Sequence, residues 1–506
     1  MADARLLRIH PSDNVAVSVA ALSAGTFADF AGTPVEVRQD IPAGHKVALS
    51  DLPAGATIVK YGFPIGVLTV DVAKGGWIHS DQLKTRLEGE IEYSFRNGAQ
   101  VSTTAKATPK FMGYRRKNGR VGTRNEIWII NTVGCVNHAA ERIAKIAAER
   151  FAQHADVRFS GRIDGVHSFS HPYGCSQLGD DLQNTQRVLA GMLRHPNAGG
   201  VLVLGLGCEN NQMSELLAQA GDVDQERLRF FNTQEVIDEV DEGLNAIESL
   251  VAAMEKDERV ECPASDLVLG MKCGGSDGFS GITANPLVGR ISDRVTELGG
   301  TAILTEVPEM FGAEQVLMDR AADEEVFAAI VRMVNDFKDY FIRHNQPIYE
   351  NPSPGNKAGG LTTLEEKSLG AIQKGGRATV TDVLRYGAPV TKPGLALLQA
   401  PGNDAVSSTA MVASGATVLL FTTGRGTPLG FPVPTVKISS NSEIAERKPH
   451  WIDFNAGGLL DGNADMDGLS EKLFAYILDV ASGRELTNNE KHGYREIAIW
   501  KEGVTL

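Results

Sequence analysis

The sequence predicts a multidomain α/β protein in which a small all-β module precedes a doubly wound middle domain and a C-terminal α/β domain. Three observations predict this fold class. A chain of 506 residues corresponds to roughly three domains. Its first hundred residues consist of short, alternating, turn-rich runs that are typical of β-strands. After them strand, polar loop and helix recur in turn, which favours a largely parallel sheet with helices on its faces.

The N-terminal module is predicted to span residues 1–96. Residues 13–20 alternate as a strand should. His79 and Asp81 stand two positions apart, so on a strand they would share a face, although a single histidine is more often structural than a ligand. Residues 97–111 are polar and aperiodic, and we expect a linker that lets the module close over a site as a lid.

The middle domain is predicted over residues 112–261. Apolar strands at 127–130 and 201–204 are each followed by a glycine-containing loop and a helical pattern. The second loop begins Gly205-Leu-Gly207, which is the start of a dinucleotide-binding fingerprint. Asn210 stands where the third glycine would be, so the fingerprint is incomplete.

The C-terminal domain is predicted over residues 262–506, with an apolar strand at 266–271 and a glycine-rich stretch at 272–286. A loop between a strand and a helix is the usual place for a ligand site in an open α/β sheet. The alternative is a glycine-rich turn around a buried structural cysteine. The stretch offers an amine, a thiol, a hydroxyl and a carboxylate as site candidates: Lys272, Cys273, Ser276 and Asp277.

Two later loops carry a cation among glycines and prolines. Residues 351–360 are too rich in proline and glycine for a helix or a central strand, and Lys357 is their only cation. Arg425 stands between two glycines, after a predicted strand at 417–421. Each cation could bind a carboxylate, although a solvated loop charge is the commoner role of such residues.

Four of the five cysteines stand beside a glycine, and at least three of them follow predicted strands. In an open α/β architecture such loops gather at the carboxyl ends of the strands. Thiols gathered there without a disulfide pattern favour a soft or redox metal, iron first, or a reactive thiol; inert structural cysteines are the alternative. The four residues are Cys135, Cys175, Cys208 and Cys273.

The composition is that of an acidic globular protein, with 42% hydrophobic residues, 22% charged residues and a formal net charge of −14. This acidity and the lack of a basic run argue against nucleic acid as a partner. No apolar run reaches the roughly 18 residues of a membrane span. The few cysteines and the N-terminal sequence predict a soluble protein of a reducing cytoplasm. An anionic substrate would then have to be received by local cations.

Seven motifs are long enough to be specific: Tyr173-Gly-Cys-Ser-Gln, Gly205-Leu-Gly-Cys-Glu-Asn-Asn, Cys273-Gly-Gly-Ser-Asp-Gly, Thr283-Ala-Asn-Pro, Thr305-Glu-Val-Pro-Glu-Met-Phe-Gly-Ala-Glu, Asn351-Pro-Ser-Pro-Gly-Asn-Lys and Thr423-Gly-Arg-Gly-Thr-Pro. Together they resemble the altronate/galactarate dehydratase family of sugar-acid hydro-lyases, and the resemblance covers essentially the whole chain. It implies an N-terminal SAF-like β-clip domain, a Rossmann-like doubly wound middle domain and a C-terminal α/β domain. It also implies iron-dependent dehydration of a six-carbon sugar acid, and we expect a cytoplasmic homodimer.

The resemblance also implies roles for the candidate residues. Removing water from a dihydroxy acid requires a base for the proton beside the carboxylate and cations for the charge that develops. The choice of base stays open among His171, Glu306, Glu309 and Lys357. The substrate-binding candidates are Lys272, Ser276, Asp277, Asn356 and Arg425. The implied ligands of iron, as a single Fe2+ ion or an iron–sulfur cluster, are His79, Cys135, Cys175, Cys208 and Cys273.

Most of the motifs favour D-altronate as substrate, with 2-dehydro-3-deoxy-D-gluconate and water as products in hexuronate catabolism. The segment Trp77-Ile-His-Ser-Asp-Gln82 keeps only His79 of the histidine-rich stretch that is typical of altronate dehydratases. Galactarate is therefore the alternative substrate. Alternatives of another class are a non-catalytic sugar-acid-binding protein and an NAD-dependent oxidoreductase.

Overall fold

The computed structural model describes residues 5–87, 93–95, 108–153 and 163–506. No helix within these ranges is long and apolar enough to cross a membrane.

Short antiparallel strands make up the N-terminal module. The strands are β1 (Leu6–Leu7), β2 (Val15–Ser18), β3 (Phe27–Phe30), β4 (Thr33–Glu36), β5 (Lys46–Ala48), β6 (Thr57–Lys60), β7 (Phe63–Leu68), β8 (Trp77–Ile78) and β9 (Leu83–Lys84). They form three small sheets, ordered β1-β2-β5-β8, β3-β4 and β6-β7-β9. Gly44 and Gly55, in two similar Pro-Ala-Gly turns, have φ of +82° and +83°, a left-handed conformation that glycine adopts without strain.

A parallel sheet in the order β13-β12-β14-β15 forms the centre of the middle domain. Ile127 and Ile129 of β12 face the core under α1 and α4, whereas Trp128 and Ile130 face the core on the side of α2 and α3. Helices therefore cover both faces. The elements are β10 (Lys110–Arg115), β11 (Val121–Gly122), β12 (Glu126–Asn131), α1 (Asn137–Gln153), β13 (Gly165–Phe169), α2 (Gly179–Leu193), β14 (Ala198–Gly205), α3 (Met213–Ala220), β15 (Leu228–Asn232), α4 (Glu239–Met254) and β16 (Val260–Pro263).

Seven parallel strands in the order β19-β20-β18-β17-β21-β22-β23 form the sheet of the C-terminal domain. Its strands are β17 (Val268–Cys273), β18 (Thr301–Leu304), β19 (Val380–Leu384), β20 (Gly394–Leu398), β21 (Val418–Thr423), β22 (Thr435–Ser439) and β23 (Phe454–Asn455). Its helices are α5 (Ala284–Glu297), α6 (Glu314–Met318), α7 (Glu324–Arg343), α8 (Pro354–Ala358), α9 (Leu364–Ala371), α10 (Asp404–Ala413), α11 (Ser442–Arg447), α12 (Gly458–Asp461), α13 (Met466–Ala481) and α14 (Asn488–His492). Strand β17 lies at the centre, so the glycine-rich loop after it is flanked by the loops of β18 and β21.

The N-terminal module packs against the C-terminal domain. Apolar residues of the two share one hydrophobic core. The buried Glu366 carboxylate on α9 accepts the ammonium groups of Lys46 at 2.8 Å and Lys60 at 2.7 Å; we call these three residues the interdomain ion triad. A Cβ atom on Gly278 would lie 2.0 Å from the Gly44 carbonyl oxygen, so the two backbones meet where only glycine fits. The N-terminal module is therefore held against the C-terminal domain in this structure, and its role as a lid stays a prediction.

Several predicted elements are confirmed, and one is wrong. The strands predicted at 127–130, 201–204 and 266–271 are β12, β14 and β17. Residues 351–360, predicted to exclude a helix, contain α8. Pro354 opens that helix, where a missing N–H costs nothing, and Ser353 and Asn356 form a capping box. Of the predicted linker, residues 97–107 lie outside the described ranges, and Lys110 already belongs to β10.

Candidate active site

The carboxyl end of the C-terminal sheet gathers a thiol and two carboxyl groups. Cys273 ends β17, and Glu306 and Glu309 lie in the loop after the neighbouring strand β18. The Cys273 sulfur lies 3.2 Å from Oε2 of Glu309 and 3.7 Å from Oε2 of Glu306. All three side chains are buried. Among the His, Cys, Asp and Glu side chains of the described residues, only this group of three brings its ligand atoms within 4.8 Å of one another.

Backbone strain turns Glu306 toward the thiol. Its φ of 69° and ψ of 60° are left-handed, which is uncommon for a residue other than glycine. In that conformation its Oε2 accepts the backbone N–H of Cys273 at 3.2 Å, and its Oε1 accepts Lys272. Such strain persists only where the surrounding structure determines it, and it is common at functional sites.

Three buried ammonium groups complete this arrangement. Lys272 binds Glu306 and, at 2.8 Å, Asp404 at the start of α10. Lys367 of α9 lies 2.8 Å from Oε1 of Glu309. We call the whole set the Lys–Glu cluster: Lys272, Cys273, Glu306, Glu309, Lys367, Lys374 and Asp404.

Lys374 occupies the middle of the cluster. It lies in the turn that follows α9, and its Nζ is 2.7 Å from the Cys273 sulfur and 3.4 Å from Oε2 of Glu306. Lys374 and Lys367 are seven positions apart, which is about two helical turns, so both point to the same side.

The two glutamates are held at different pKa values. Burial, and after it the repulsion from Glu309, raises the pKa of Glu306 above its usual range. Burial also acts to raise the pKa of Glu309, but the ammonium groups, Lys367 first, outweigh it and lower that pKa to about 2. Burial and the two glutamates raise the pKa of the Cys273 thiol to about 12. The pair thus contains one carboxyl that takes up a proton more readily and one that stays ionised.

The residues of the Lys–Glu cluster do not fit a metal ion. Three ammonium groups balance three carboxylates there, and the Cys273 thiol is neutral. The Nζ atom of Lys374 already lies at hydrogen-bonding distance from the sulfur, where a cation held by Cys273 would have to stand. A divalent ion would add two positive charges beside buried ammonium groups, at separations where like charges repel strongly. No step of a reaction is therefore assigned to a metal ion at Cys273.

A cleft of about 480 Å³ lies between the N-terminal module and the C-terminal domain. The module lines it with Ser80 and Lys84, and the other wall carries Lys357 and Asn351. Asn351 joins cleft and cluster, because its Oδ1 accepts Lys367 at 2.9 Å and its Nδ2 lies 3.5 Å from Oε1 of Glu309.

Two histidines stack beside this cleft. The half-buried His79 ring packs 5.5 Å from that of His45 and 4.8 Å from that of Trp77, and its Nδ1 lies 3.4 Å from Asp81. His45 accepts the Trp77 indole N–H on Nδ1 and donates from Nε2 to the carbonyl of Ala358, next to Lys357. Burial, followed by the charges of Lys46 and His79, lowers the pKa of His45 to about 4, in agreement with a neutral ring.

The remaining predicted substrate residues lie around α8. Asn356 is buried, donating to the carbonyl of the buried Ser276 at 2.8 Å and accepting Lys367 at 3.2 Å. Lys357 is partly exposed on the cleft wall. Arg425 is exposed, with Nη1 3.3 Å from the carbonyl of Gly355 in α8. Of these residues, Lys357 is the one that lines the cleft.

The carboxylate of Asp277 is hydrogen-bonded to other residues of the protein. Its buried carboxylate accepts hydrogen bonds from four residues: Phe279, Ser280, Ser440 and Asn441. Burial raises its pKa, which these donors oppose. The side chain predicted to bind substrate is thus fully used in holding the glycine-rich loop against the loop after β22.

Known families match the chain in three consecutive parts. The SAF domain of altronate/galactarate dehydratases matches residues 4–86, the second domain of D-galactarate dehydratase/altronate hydrolase matches 113–255, and the C-terminal domain of D-galactarate/altronate dehydratase matches 264–505. The chain belongs to the galactarate/altronate dehydratase family of hydro-lyases.

Full-length relatives of this family are similar throughout. The altronate dehydratases of Bacillus subtilis (strain 168) and Escherichia coli (strain K12) are 50% and 52% identical to the chain over 503 and 500 residues, which is 99% of each chain. The galactarate dehydratase (L-threo-forming) of Escherichia coli (strain K12) is 36% identical over 515 residues, covering 98% of this chain and 96% of its own.

In this dehydratase family member, His171 is not free to act as a base. It lies in the middle domain, after β13, and is buried. Its Nε2 donates to the carbonyl of Asn131 at 2.9 Å, and its Nδ1 accepts the N–H of Tyr173 at 3.2 Å. Burial lowers its pKa. Both ring nitrogens are therefore engaged by the backbone.

The predicted iron ligands fall into different parts of the family fold. Cys273 is buried in the Lys–Glu cluster, and His79 belongs to the N-terminal module. The other three cysteines are exposed and follow strands of the middle sheet: Cys135, Cys175 and Cys208.

The sequence analysis did not identify four residues of the candidate site: His45, Asn351, Lys367 and Lys374. The lysines occur in Leu364-Glu-Glu-Lys-Ser-Leu-Gly-Ala-Ile-Gln-Lys374, where charges every few positions indicate an exposed helix. Every residue of α9 is in fact buried. Asn351 lay in a recognised motif, and that motif was the only available signal.

Proposed function

We propose that this chain dehydrates D-altronate to 2-dehydro-3-deoxy-D-gluconate and water in hexuronate catabolism. The observation that carries the proposal is the similarity to two altronate dehydratases at 50% and 52% identity over 99% of each chain. Galactarate is the second candidate substrate, supported by the galactarate dehydratase relative at 36% identity and by the single histidine, His79, in the segment 77–82.

The cleft beside α8 suits such a substrate. Its volume of about 480 Å³ is that of a small-molecule pocket. Lys357 on its wall and Arg425, which contacts α8, supply the local cations that an anion needs in a protein with a net charge of −14. We assign these two residues to the substrate carboxylate and Asn351 to the passage between cleft and cluster.

Glu306 is the general base that the arrangement favours. An effective base has a pKa near the working pH, and Glu306 is the carboxyl of the pair whose pKa is raised. Glu309, with a pKa lowered to about 2, is too weak a base and instead serves to keep the ammonium groups in place. His171 is less suited, because it lies in the middle domain, does not line the cleft and has a pKa that burial lowers.

In the proposed reaction Glu306 takes the proton from C2 of the acid. The electron pair of the broken C–H bond forms the C2–C3 double bond, and the C3 hydroxyl leaves. The proton on Glu306 passes to that hydroxyl, so that water departs and the enol rearranges to the 2-keto acid. Lys357 and Arg425, which hold the carboxylate, stabilise the negative charge that builds up on it as fixed cations.

The loop after β14 is not suited to bind a dinucleotide. In nucleotide-binding loops the backbone N–H groups receive the pyrophosphate. Here the Glu209 carboxylate accepts the N–H of Gly207 at 2.6 Å and that of Leu206 at 3.1 Å. An internal anion thus fills the position of a phosphate and would repel one. We interpret the middle domain as Rossmann-like in its winding, with no nucleotide. The homodimer and the cytoplasmic location remain predictions.

Product analysis tests the proposal. The protein is incubated with D-altronate or D-galactarate, with and without NAD, and the formation of a 2-keto-3-deoxy acid is followed. We expect turnover of D-altronate with a higher kcat/KM than that of D-galactarate. Turnover of galactarate alone would transfer the assignment to the second candidate. Saturable binding of either acid without product would indicate a non-catalytic sugar-acid-binding protein, and product formation that needs NAD would indicate an oxidoreductase.

A further inference from the structure

A second cavity, of about 670 Å³, lies between the middle domain and the C-terminal domain; we call it the interdomain cavity. Helix α2 of the middle domain and helix α7 of the C-terminal domain line it, and the segment after α14 adds Trp500 and Glu502. It shares no lining residue with the cleft beside α8. The proposed dehydration does not use this cavity.

Two of the lining residues follow strands of the C-terminal sheet. Arg385 comes directly after β19, and Gln399 comes directly after β20. These two strands are neighbours at one edge of the sheet. Open α/β sheets bind ligands at the carboxyl ends of their strands, and the volume is that of a small-molecule pocket. The position and the size of the interdomain cavity therefore both suit a small ligand.

Four aromatic side chains form the apolar part of the lining. The centroid of the Trp500 ring lies 5.3 Å from that of Phe337, 5.4 Å from that of Tyr340 and 5.6 Å from that of Tyr386. Phe337 and Tyr386 are buried, whereas Trp500 and Tyr340 are only partly covered. The backbone N–H of Trp500 also donates to the Tyr386 hydroxyl at 3.0 Å. The cavity therefore offers a ligand two partly exposed rings that two buried rings hold in place.

Three arginines line the cavity without a carboxylate partner among the described residues. Arg343, which ends α7, and Arg385 have no side-chain hydrogen bond or ion pair within the described ranges. Arg187 donates only to amide oxygens, at 2.9 Å to Gln183 and at 3.5 Å to Asn184. A guanidinium group binds a carboxylate through two parallel hydrogen bonds. These arginines thus keep donors available for the carboxylate of a ligand.

Carboxylates without a cationic partner line the same cavity. Asp180, Asp336, Asp339 and Glu502 form no side-chain ion pair with any residue that the structure describes. Four carboxylates thus stand against three guanidinium groups. They would repel a multiply charged anion such as a phosphate, whereas hydroxyl groups can donate hydrogen bonds to them. The lining therefore favours a ligand that carries one negative charge and several hydroxyl groups.

We propose that the interdomain cavity binds a sugar acid, a small polyhydroxy monocarboxylate, at a site separate from that of the dehydration. Arg343 and Arg385 supply the guanidinium groups for its carboxylate. The carboxylates of α7 accept its hydroxyl groups, and Trp500 packs against its C–H groups. A dicarboxylate without hydroxyl groups would leave the acidic side chains without donors. A neutral sugar would leave the arginines without an anion.

Titration of the full-length protein with D-gluconate, a six-carbon polyhydroxy acid, tests this site through tryptophan fluorescence. Trp500 is one of four tryptophans. We expect a saturable component of the fluorescence change that is absent from Trp500→Phe; we call it the Trp500 component. Arg343→Met and Arg385→Met should each raise its Kd by about tenfold or more, as the loss of a charge-assisted hydrogen bond does. The titration needs no turnover, so its outcome does not depend on the proposed dehydration.

Arg332→Met is the matched control, since Arg332 is exposed on the same helix α7 but does not line the cavity. This variant should bind D-gluconate as the unsubstituted protein does. Lys357→Met, in the cleft beside α8, should also keep the Trp500 component. Sorbitol has a hydroxymethyl group in place of the carboxylate, and acetate has no hydroxyl group, so neither should saturate the signal where D-gluconate does. Circular dichroism checks that Trp500→Phe and the arginine variants remain folded.

The proposal is overturned if no Trp500 component is seen, or if its Kd is unchanged in both Arg343→Met and Arg385→Met. Binding of sorbitol, acetate or inorganic phosphate as tight as that of D-gluconate would overturn the assigned class of ligand. The kcat/KM for D-altronate should stay near that of the unsubstituted protein in Arg343→Met. A loss there as large as that in Lys357→Met would make the cavity part of the dehydration site and would overturn the separate site.

Discussion

Replacement of Glu306 by glutamine tests the proposed base directly. Glutamine keeps the size of the side chain but cannot take a proton. General-base catalysis contributes about 10²- to 10⁴-fold, so kcat should fall by that factor, which corresponds to about 3–5 kcal/mol in the activation barrier. The substitution also removes a buried carboxylate that Lys374 shares with Lys272, and only Lys272 keeps another carboxylate partner, Asp404; breaking such a buried pair costs about 3–5 kcal/mol of folding stability. The folded fraction is therefore measured alongside kcat.

The matched control is Glu309→Gln, which removes a second buried carboxylate with lysine partners. The pH dependence of kcat distinguishes the two. In the unsubstituted enzyme kcat falls on the acidic side of the pH profile because Glu306 becomes protonated; we call this fall the acidic limb. Because the pKa of Glu306 is raised, the midpoint of the acidic limb lies above the usual carboxyl pKa of about 4.3. Glu309→Gln removes a neighbouring negative charge, so the pKa of Glu306 falls and the limb moves to lower pH. In Glu306→Gln the limb disappears from the residual activity.

The assay is release of the 2-keto-3-deoxy acid at saturating D-altronate between acidic and neutral pH. Two results would refute the assignment of the base. One is a Glu306→Gln enzyme that keeps more than about a tenth of kcat, because a general base contributes more than that. The other is an unchanged acidic limb in this variant.

Three further predictions follow from the cleft and from the domain interface. Lys357→Met and Arg425→Met should each lower kcat/KM by tens to thousands of fold, because each removes a charge contact with the bound substrate that is worth about 2–5 kcal/mol when desolvated. The melting temperature should remain almost unchanged. A large fall in melting temperature with little kinetic effect would show that these cations are structural. Lys46→Met and Lys60→Met should each lower the melting temperature, because each leaves the buried Glu366 carboxylate with one ammonium partner instead of two, and an unchanged melting temperature in either variant would contradict this. His45 has a pKa of about 4 in the folded protein, below its ordinary 6.5. The neutral ring therefore contributes folding stability that is present above pH 6.5 and is lost as the pH falls through 4. The melting temperature of His45→Gln should decrease less on acidification than that of the unsubstituted protein.

Local patterns were sufficient to predict three strands of the parallel sheets and to nominate part of the candidate site. The apolar run before Cys273 ends in a glycine-rich loop, and such loops carry sites in parallel sheets. Glu306 and Glu309 were found because they lie in a recognised motif after a predicted strand. These inferences need only neighbours in the chain.

Long-range packing accounts for what the sequence did not predict. Lys374 contacts Cys273 across 101 positions, and its charge in the sequence resembles that of any exposed helix. Asp277 has the chemistry of a ligand, yet its partners Ser440 and Asn441 come from a loop more than 160 positions away. The role of a buried polar residue depends on such partners, and periodicity in the sequence carries no information about them.

The interdomain ion triad has a consequence for the exchange of parts within the family. Two of its charges belong to the N-terminal module and the third to α9, more than 300 positions away. A hybrid enzyme that takes its N-terminal module from another family member must bring cations at the positions of Lys46 and Lys60. Without them Glu366 would remain as a lone charge inside an apolar interface. The module and α9 are thus coupled through one buried carboxylate, although they are far apart in the chain, and a hybrid enzyme should exchange them together.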